Sequence, residues 1–175
     1  MKKTLSVLQI AGFFITSLLG VLLHFLFDWT DQSRLSALIS GVNESTWEHM
    51  KLLFFPLFIY AIAESFFAKE RKDFWCIKLI GALAGIISIP IIFYTLNGAF
   101  FKTPDWINIT IFFVSAAIAF FTESLIFKKG NIPCPKRFIP ISVFLMITVA
   151  FFVFSFYPPQ IPLFKDPITE GYGIV

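Results

Sequence analysis

The chain contains two histidines, and each stands close to carboxylates at helical spacing. His24 and Asp28 are one turn apart, while GVNESTWEHMK, residues 41 to 51, places Glu44, Glu48, His49 and Lys51 within about two turns. Imidazoles and carboxylates together form the usual ligand set of zinc, manganese or iron, and they equally serve proton transfer. The candidate catalytic residues are therefore Glu48, His49, His24, Glu44 and Asp28, with His24, Glu48 and His49 as candidate ligands of a divalent metal (Zn, Mn or Fe). The H-E-x-x-H motif of metalloproteases is absent, since Glu48-His49 supplies only half of it. Glu48 and His49 also point about 100° apart around a helix, so a shared ion requires Glu48 to turn sideways or a site between helices.

Capping explains part of the same stretch. Asn43 or Ser45 is a natural N-cap, Ser45-Thr46-Trp47-Glu48 has capping-box spacing, and Glu48 with Lys51 forms an i, i+3 pair. Trp47 reads as an interfacial anchor. Capping leaves His49 unexplained, and with it the level that His24 and Asp28 share. A second, sparser set comprises Glu64, Lys78 and Glu123. One lysine neutralises one glutamate and leaves the other to titrate, unless the set is an interhelical ion pair that fixes packing. Glu48 and Glu64 stand about 24 Å apart along one helix, which keeps a transport path in view.

The elements that must hold these residues are membrane helices. Of 175 residues, 57% are hydrophobic, 14% are charged and 25 are Phe, a composition that no soluble surface requires. Five apolar runs have the roughly 20-residue length that a bilayer demands: about 5–27, 47–68, 74–96, 106–127 and 138–157. They lack strand alternation, so the fold class is all-α and polytopic, a single five-helix membrane domain over 1–175. Lys2, Lys3, Lys69, Arg71, Lys72, Lys128, Lys129, Lys136 and Arg137 lie on one side, against Arg34, Lys102 and Lys165 on the other. That bias puts the amino terminus inside and the carboxyl terminus outside. The first run is too long for a signal-peptide core and lacks a small-x-small cleavage site.

Several features read as architecture. Gly81 and Gly85 form a G-x-x-x-G packing face, and Pro56 and Pro90 bend two helices near mid-membrane. Leu35, Leu38 and Ile39 suit a short interfacial helix. Cys76 and Cys134 both map to the inner side, where a structural disulfide is not expected. The tail 158–175 is rich in proline and lies above the His49 level; it is either a simple interfacial tail or a lid that folds back and offers Asp166, Glu170 or Tyr172 to the site. The charge of +3 belongs to the inner loops, and no nucleic-acid motif is present.

The string Asn43-Glu44-Ser45-x-Trp47-Glu48-His49-x-Lys51, with Gly20-x-x-x-His24-x-x-x-Asp28 before it and Pro56, Glu64 and the Tyr-Pro-Pro to Gly-Tyr-Gly tail after it, resembles an uncharacterised family of small bacterial integral membrane proteins. The resemblance spans essentially the whole chain. It implies a multi-pass protein of the bacterial cytoplasmic membrane and brings no activity with it.

Three functions fit these residues. One is a membrane-embedded, metal-dependent hydrolase of a lipid or another interfacial substrate, centred on His24, Glu48 and His49. Another is a transporter or channel subunit for a small solute, running from the outer cluster to Glu64 and Glu123; five helices are few for that task, so it requires a homo-oligomer. The third is a noncatalytic assembly factor in which the polar layers specify packing. The small size favours the hydrolase.

Overall fold

The computed structural model describes residues 2–100, 104–134 and 136–174; Lys102, used above to orient the chain, lies outside them. Among the described residues the protein is all-helical, with five long helices: α1 (Lys2–Trp29), α2 (Thr46–Ser65), α3 (Phe74–Phe100), α4 (Asp105–Lys129) and α5 (Phe138–Phe156). These match the five apolar runs to within a few residues at each end. Four contain segments long and apolar enough to cross a membrane, namely Ser6–Trp29, Phe74–Ala99, Trp106–Lys129 and Phe138–Phe156. The fifth, α2, falls short because Glu48, His49 and Lys51 crowd its first turns and Glu64 its last.

That same helix is the most enclosed. It packs against α1 and α3 and also reaches α4 and α5, burying Leu52, Leu53, Phe54 and Leu57 almost completely. Against a lipid background, such helices associate through close packing rather than apolar burial as such. Aromatic contacts supply much of it: Phe58 stacks on Phe144 with centroids 4.7 Å apart, and Phe54 lies 5.2 Å from Phe151. Each such pair contributes about 0.5–1.5 kcal/mol beyond its area. Pro56 and Pro90 lie inside α2 and α3.

Small residues set the helix spacing. A Cβ at Gly81 would sit 2.3 Å from Cγ of Glu123, and one at Gly85 would sit 2.9 Å from Cβ of Ala119. The G-x-x-x-G face thus packs α3 on α4, the most extensive helix pairing in the molecule. The loop between α1 and α2 holds only a three-residue 3-10 turn, Ser36–Leu38, in place of the expected amphipathic helix. Ser33, Ser36 and Ser40 hydrogen-bond within that loop and shorten it.

One expectation is overturned. Cys76 and Cys134 form a disulfide, with Cα atoms 6.0 Å apart. The reason is tertiary: the loop after α4 folds back over the start of α3. Asp73 accepts the Ile132 N–H at 3.0 Å and pairs with Arg71, which also donates to the Gly130 carbonyl. Burial opposes ionisation of Asp73, yet Arg71 and the Ile132 N–H hold its carboxyl below the usual range. The disulfide closes a separation of 58 residues, so reduction is expected to cost about 2–4 kcal/mol. Thermal unfolding in detergent with and without reductant checks this; a midpoint that does not move, or that moves equally in Cys76→Ser, would refute it.

Candidate metal centre

The centre is built where α1 and the start of α2 meet. Gly20 permits the approach: a Cβ there would come within 2.3 Å of the Phe112 ring and 3.1 Å of the Leu52 carbonyl. One turn further, His24 reaches the α1–α2 loop. Ser45, in extended conformation, caps α2 by accepting the Glu48 N–H, so the backbone enters the helix with Glu44 just outside it and His49 one turn inside.

Three side chains converge there. Oε1 of Glu44 lies 3.4 Å from Nε2 of His24, and its Oε2 lies 3.5 Å from Nε2 of His49. The two imidazoles are 5.8 Å apart between centroids, and one ligand atom from each of His24, Glu44 and His49 lies within 4.8 Å of the others. Nδ1 of His49 sits 3.0 Å from the Ser45 carbonyl oxygen. A carbonyl only accepts, so Nδ1 carries the hydrogen, and Nε2 is the nitrogen that faces Glu44. Metal-binding histidines are commonly oriented by such a bond on the far nitrogen. Glu44 is in the loop; its hydrogen bond with His24 holds its carboxyl below the usual range, against partial burial. With the hydrogens facing Glu44 displaced by the ion, two imidazoles and one carboxylate would fit a divalent cation and leave coordination positions open.

The expected ligand set is corrected in one member. Glu48 does not join the histidines: it is buried, ion-paired with Lys51, accepts the Ser155 hydroxyl at 2.9 Å and receives the Val42 N–H. Lys51, also buried, donates further to Ser155 and to the Ala37 carbonyl. The predicted i, i+3 pair therefore forms, inside the protein. Glu48 leaves the reciprocal half of the capping box unmade; the Ser45 N–H bonds to Oδ1 of Asn43 instead. The 100° offset between Glu48 and His49 decides this, sending one toward α5 and the other toward α1. Asp28 is exposed and stands outside the cluster.

A cavity of about 440 Å³ opens beside these three side chains, lined by Val21, Phe25, Leu52, Phe93, Ile109, Phe112 and Phe113, with Asn97 and Asn108 among them. Oδ1 of Asn108 is buried without a hydrogen-bond partner among the described residues. The tail does fold back, but contributes Pro167 and Ile168 to the cavity wall rather than the anticipated Asp166, Glu170 or Tyr172. Asp166 is spent on its own turn, accepting from the Ile168 N–H and the Thr169 hydroxyl, Glu170 pairs with Lys165, and Tyr172 bridges to Lys165. Asn43 ties the tail down by donating to the Gly173 carbonyl at 2.9 Å. Trp47 joins the same assembly and packs on Phe151 and Phe164, so it links α2, α5 and tail.

Residues 2–174 match the model of a family of unknown function, DUF6512. The chain belongs to that family. No curated protein and no solved structure matches it. Membership therefore brings the DUF6512 chain no inherited mechanism, and the chemistry rests on its own side chains.

At the opposite end of this DUF6512 bundle, Lys78 gathers both glutamates: Nζ donates to Glu64 at 2.9 Å and to Glu123. All three are buried. Gln9 of α1 donates to the other oxygen of Glu64 at 2.7 Å, and the Tyr60 and Phe120 rings close over the ammonium. The set thus joins four helices. Gln9, Ser155 and Asn108 escaped the sequence reading; each shares its apolar helix with other uncharged polar residues, such as Thr16 and Ser17 in α1, Thr148 in α5 and Thr110 in α4, so nothing in the sequence set it apart.

Proposed function

We propose that the chain is a membrane-embedded, divalent-metal-dependent hydrolase whose centre is His24, Glu44 and His49. The observation that carries the proposal is the convergence of three ligand atoms within 4.8 Å on the wall of a roughly 440 Å³ cavity, a volume in the range of about 300–1,000 Å³ usual for small-molecule sites. Zinc best suits two imidazoles and a carboxylate in a hydrolase, with manganese and iron using the same donors. A bound ion would polarise the scissile carbonyl or phosphoryl group and acidify a water molecule. The protein's part is to fix His49 through Ser45, to aim Glu44 between the imidazoles, and to present the Asn108 oxygen to a donor on water or substrate.

Elemental analysis of gently purified protein, without chelator or metal-affinity tag, tests the reading. Near-stoichiometric zinc, manganese or iron is expected, lost in His49→Ala and in His24→Ala. Metal-free wild-type protein that also fails to take up added ion would overturn it.

The same proposal places all five helices across the bacterial cytoplasmic membrane, with the metal centre at the outer face. At 20 residues, α2 is about 30 Å long, enough to span, and its charges all meet protein partners. Apart from the buried Lys51 and Lys78, nine cations of the described residues stand at the Lys78 end against two, Arg34 and Lys165, at the other, which supports the orientation. Protease added to intact cells is expected to cut the tail; cleavage only from the cytoplasmic side would invert the arrangement.

A further inference from the structure

We infer that the ligand of this cavity is a membrane lipid, whose hydrocarbon chain enters sideways between α1 and α4. The inference rests on the hydrolase reading only for its chemistry; the route of access stands on geometry of its own.

Two helices form the mouth. Val21 and Phe25 of α1 and Ile109 and Phe113 of α4 line the cavity, and the same side chains are 39%, 46%, 60% and 36% exposed. They belong to the segments Ser6–Trp29 and Trp106–Lys129, long and apolar enough to cross a membrane. A gap between such faces opens into hydrocarbon, where the ligand at high concentration is a lipid chain. Above it, the tail lays Pro167 and Ile168 over the cavity and is held by the Asn43 bond to Gly173. On this inference the roof faces the polar side and the opening faces the bilayer.

The interior grades in polarity along the same line. From the mouth, the wall runs through Leu52 and Phe112, buried at 2% and 7% exposure, to Asn108, Glu44 and the histidines. A chain lying on the apolar wall would bring its polar head to the ligands. A water-soluble substrate of similar polarity would have to cross the roof and would leave the apolar wall unmatched.

The test uses the full chain in vesicles containing a phospholipid with a photoactivatable diazirine in its acyl chain, with cross-links mapped by mass spectrometry. Annular lipid can mark Val21 or Ile109 in any case; the informative positions are Leu52 and Phe112, which the outer surface does not reach. Labelling of Leu52 or Phe112 is expected in wild type, and its loss is expected in Ile109→Trp, which fills the mouth and touches no proposed ligand. Unlabelled Leu52 and Phe112 in wild-type protein would overturn lateral lipid entry, as would undiminished labelling in an Ile109→Trp protein that still folds by thermal unfolding. Metal content of the same samples separates the two proposals. Metal with no deep labelling removes the lipid and keeps the centre, whereas deep labelling without metal removes the hydrolase and keeps the lipid cavity.

Discussion

Lys78→Met is expected to destabilise the protein by about 3–5 kcal/mol, the cost of leaving a buried charge without its partner. Lys78 is the shared donor of Glu64 and Glu123, and all three side chains are at most 1% exposed. Deleting the ammonium leaves two carboxylates facing each other in an apolar interior, with only Gln9 to satisfy one of them. Glu123→Gln should behave differently. The set carries one formal negative charge in excess, and Oε1 of Glu123 has no hydrogen-bond partner among the described residues. The amide removes the excess charge and still accepts from Lys78, so a loss of about 1 kcal/mol or less is expected, near the net worth of one ordinary hydrogen bond. Thermal unfolding in detergent orders the series. Equal losses in the two variants would contradict a packing layer and favour an ion pathway, in which flux into proteoliposomes should depend on Glu123.

Glu44→Gln and Glu48→Gln, four residues apart, are expected to fail in opposite ways. Glu44 is partly exposed and, among the described residues, pairs with the two imidazoles rather than with a buried cation, so its amide should preserve the fold and lose the ion. The loss in affinity should exceed the roughly 10–100-fold that removal of a ligand's outer hydrogen-bond partner costs. Glu48→Gln should keep the ion and lose stability, by about 3 kcal/mol, because Lys51 would retain a buried charge with only neutral acceptors, the amide oxygen, Ser155 and the Ala37 carbonyl, to hold it. Adding Lys51→Met to Glu48→Gln should recover much of that loss, since the uncompensated charge is then gone. Metal content and unfolding midpoint, measured on the same preparations, decide the matter. Metal loss in Glu48→Gln alone would restore Glu48 to the ligand set and displace Glu44.

What could be read in advance follows from how each interaction is encoded. The G-x-x-x-G face needed no partner to be recognised, because small residues at that spacing leave one obvious use. The Ser45 cap and the Glu48–Lys51 pair are equally local, formed within one turn of the same helix. The disulfide was misjudged for the opposite reason. Its two cysteines are adjacent only because Arg71 and Asp73 draw the loop after α4 across α3, and membrane sidedness says nothing about that fold-back. Likewise, Glu48 was the expected ligand and Glu44 only a candidate beside it, until helix geometry sent Glu48 toward Ser155 while Glu44, in the loop before α2, faces His24 and His49.

By itself the sequence determined the helices, their number and much of their extents, because bilayer length, apolar runs and caps act over consecutive residues. It also singled out both histidines, since an ionisable group at the end of an apolar helix is costly enough to stand out. Only the tertiary structure decided which carboxylate joins them, that Lys78 serves two glutamates, and that the tail roofs a cavity through Pro167 and Ile168 while Asp166 closes its own turn. Those outcomes depend on helix rotation and on contacts between residues as distant as Asn43 and Gly173, and neither is a property of any local stretch of chain.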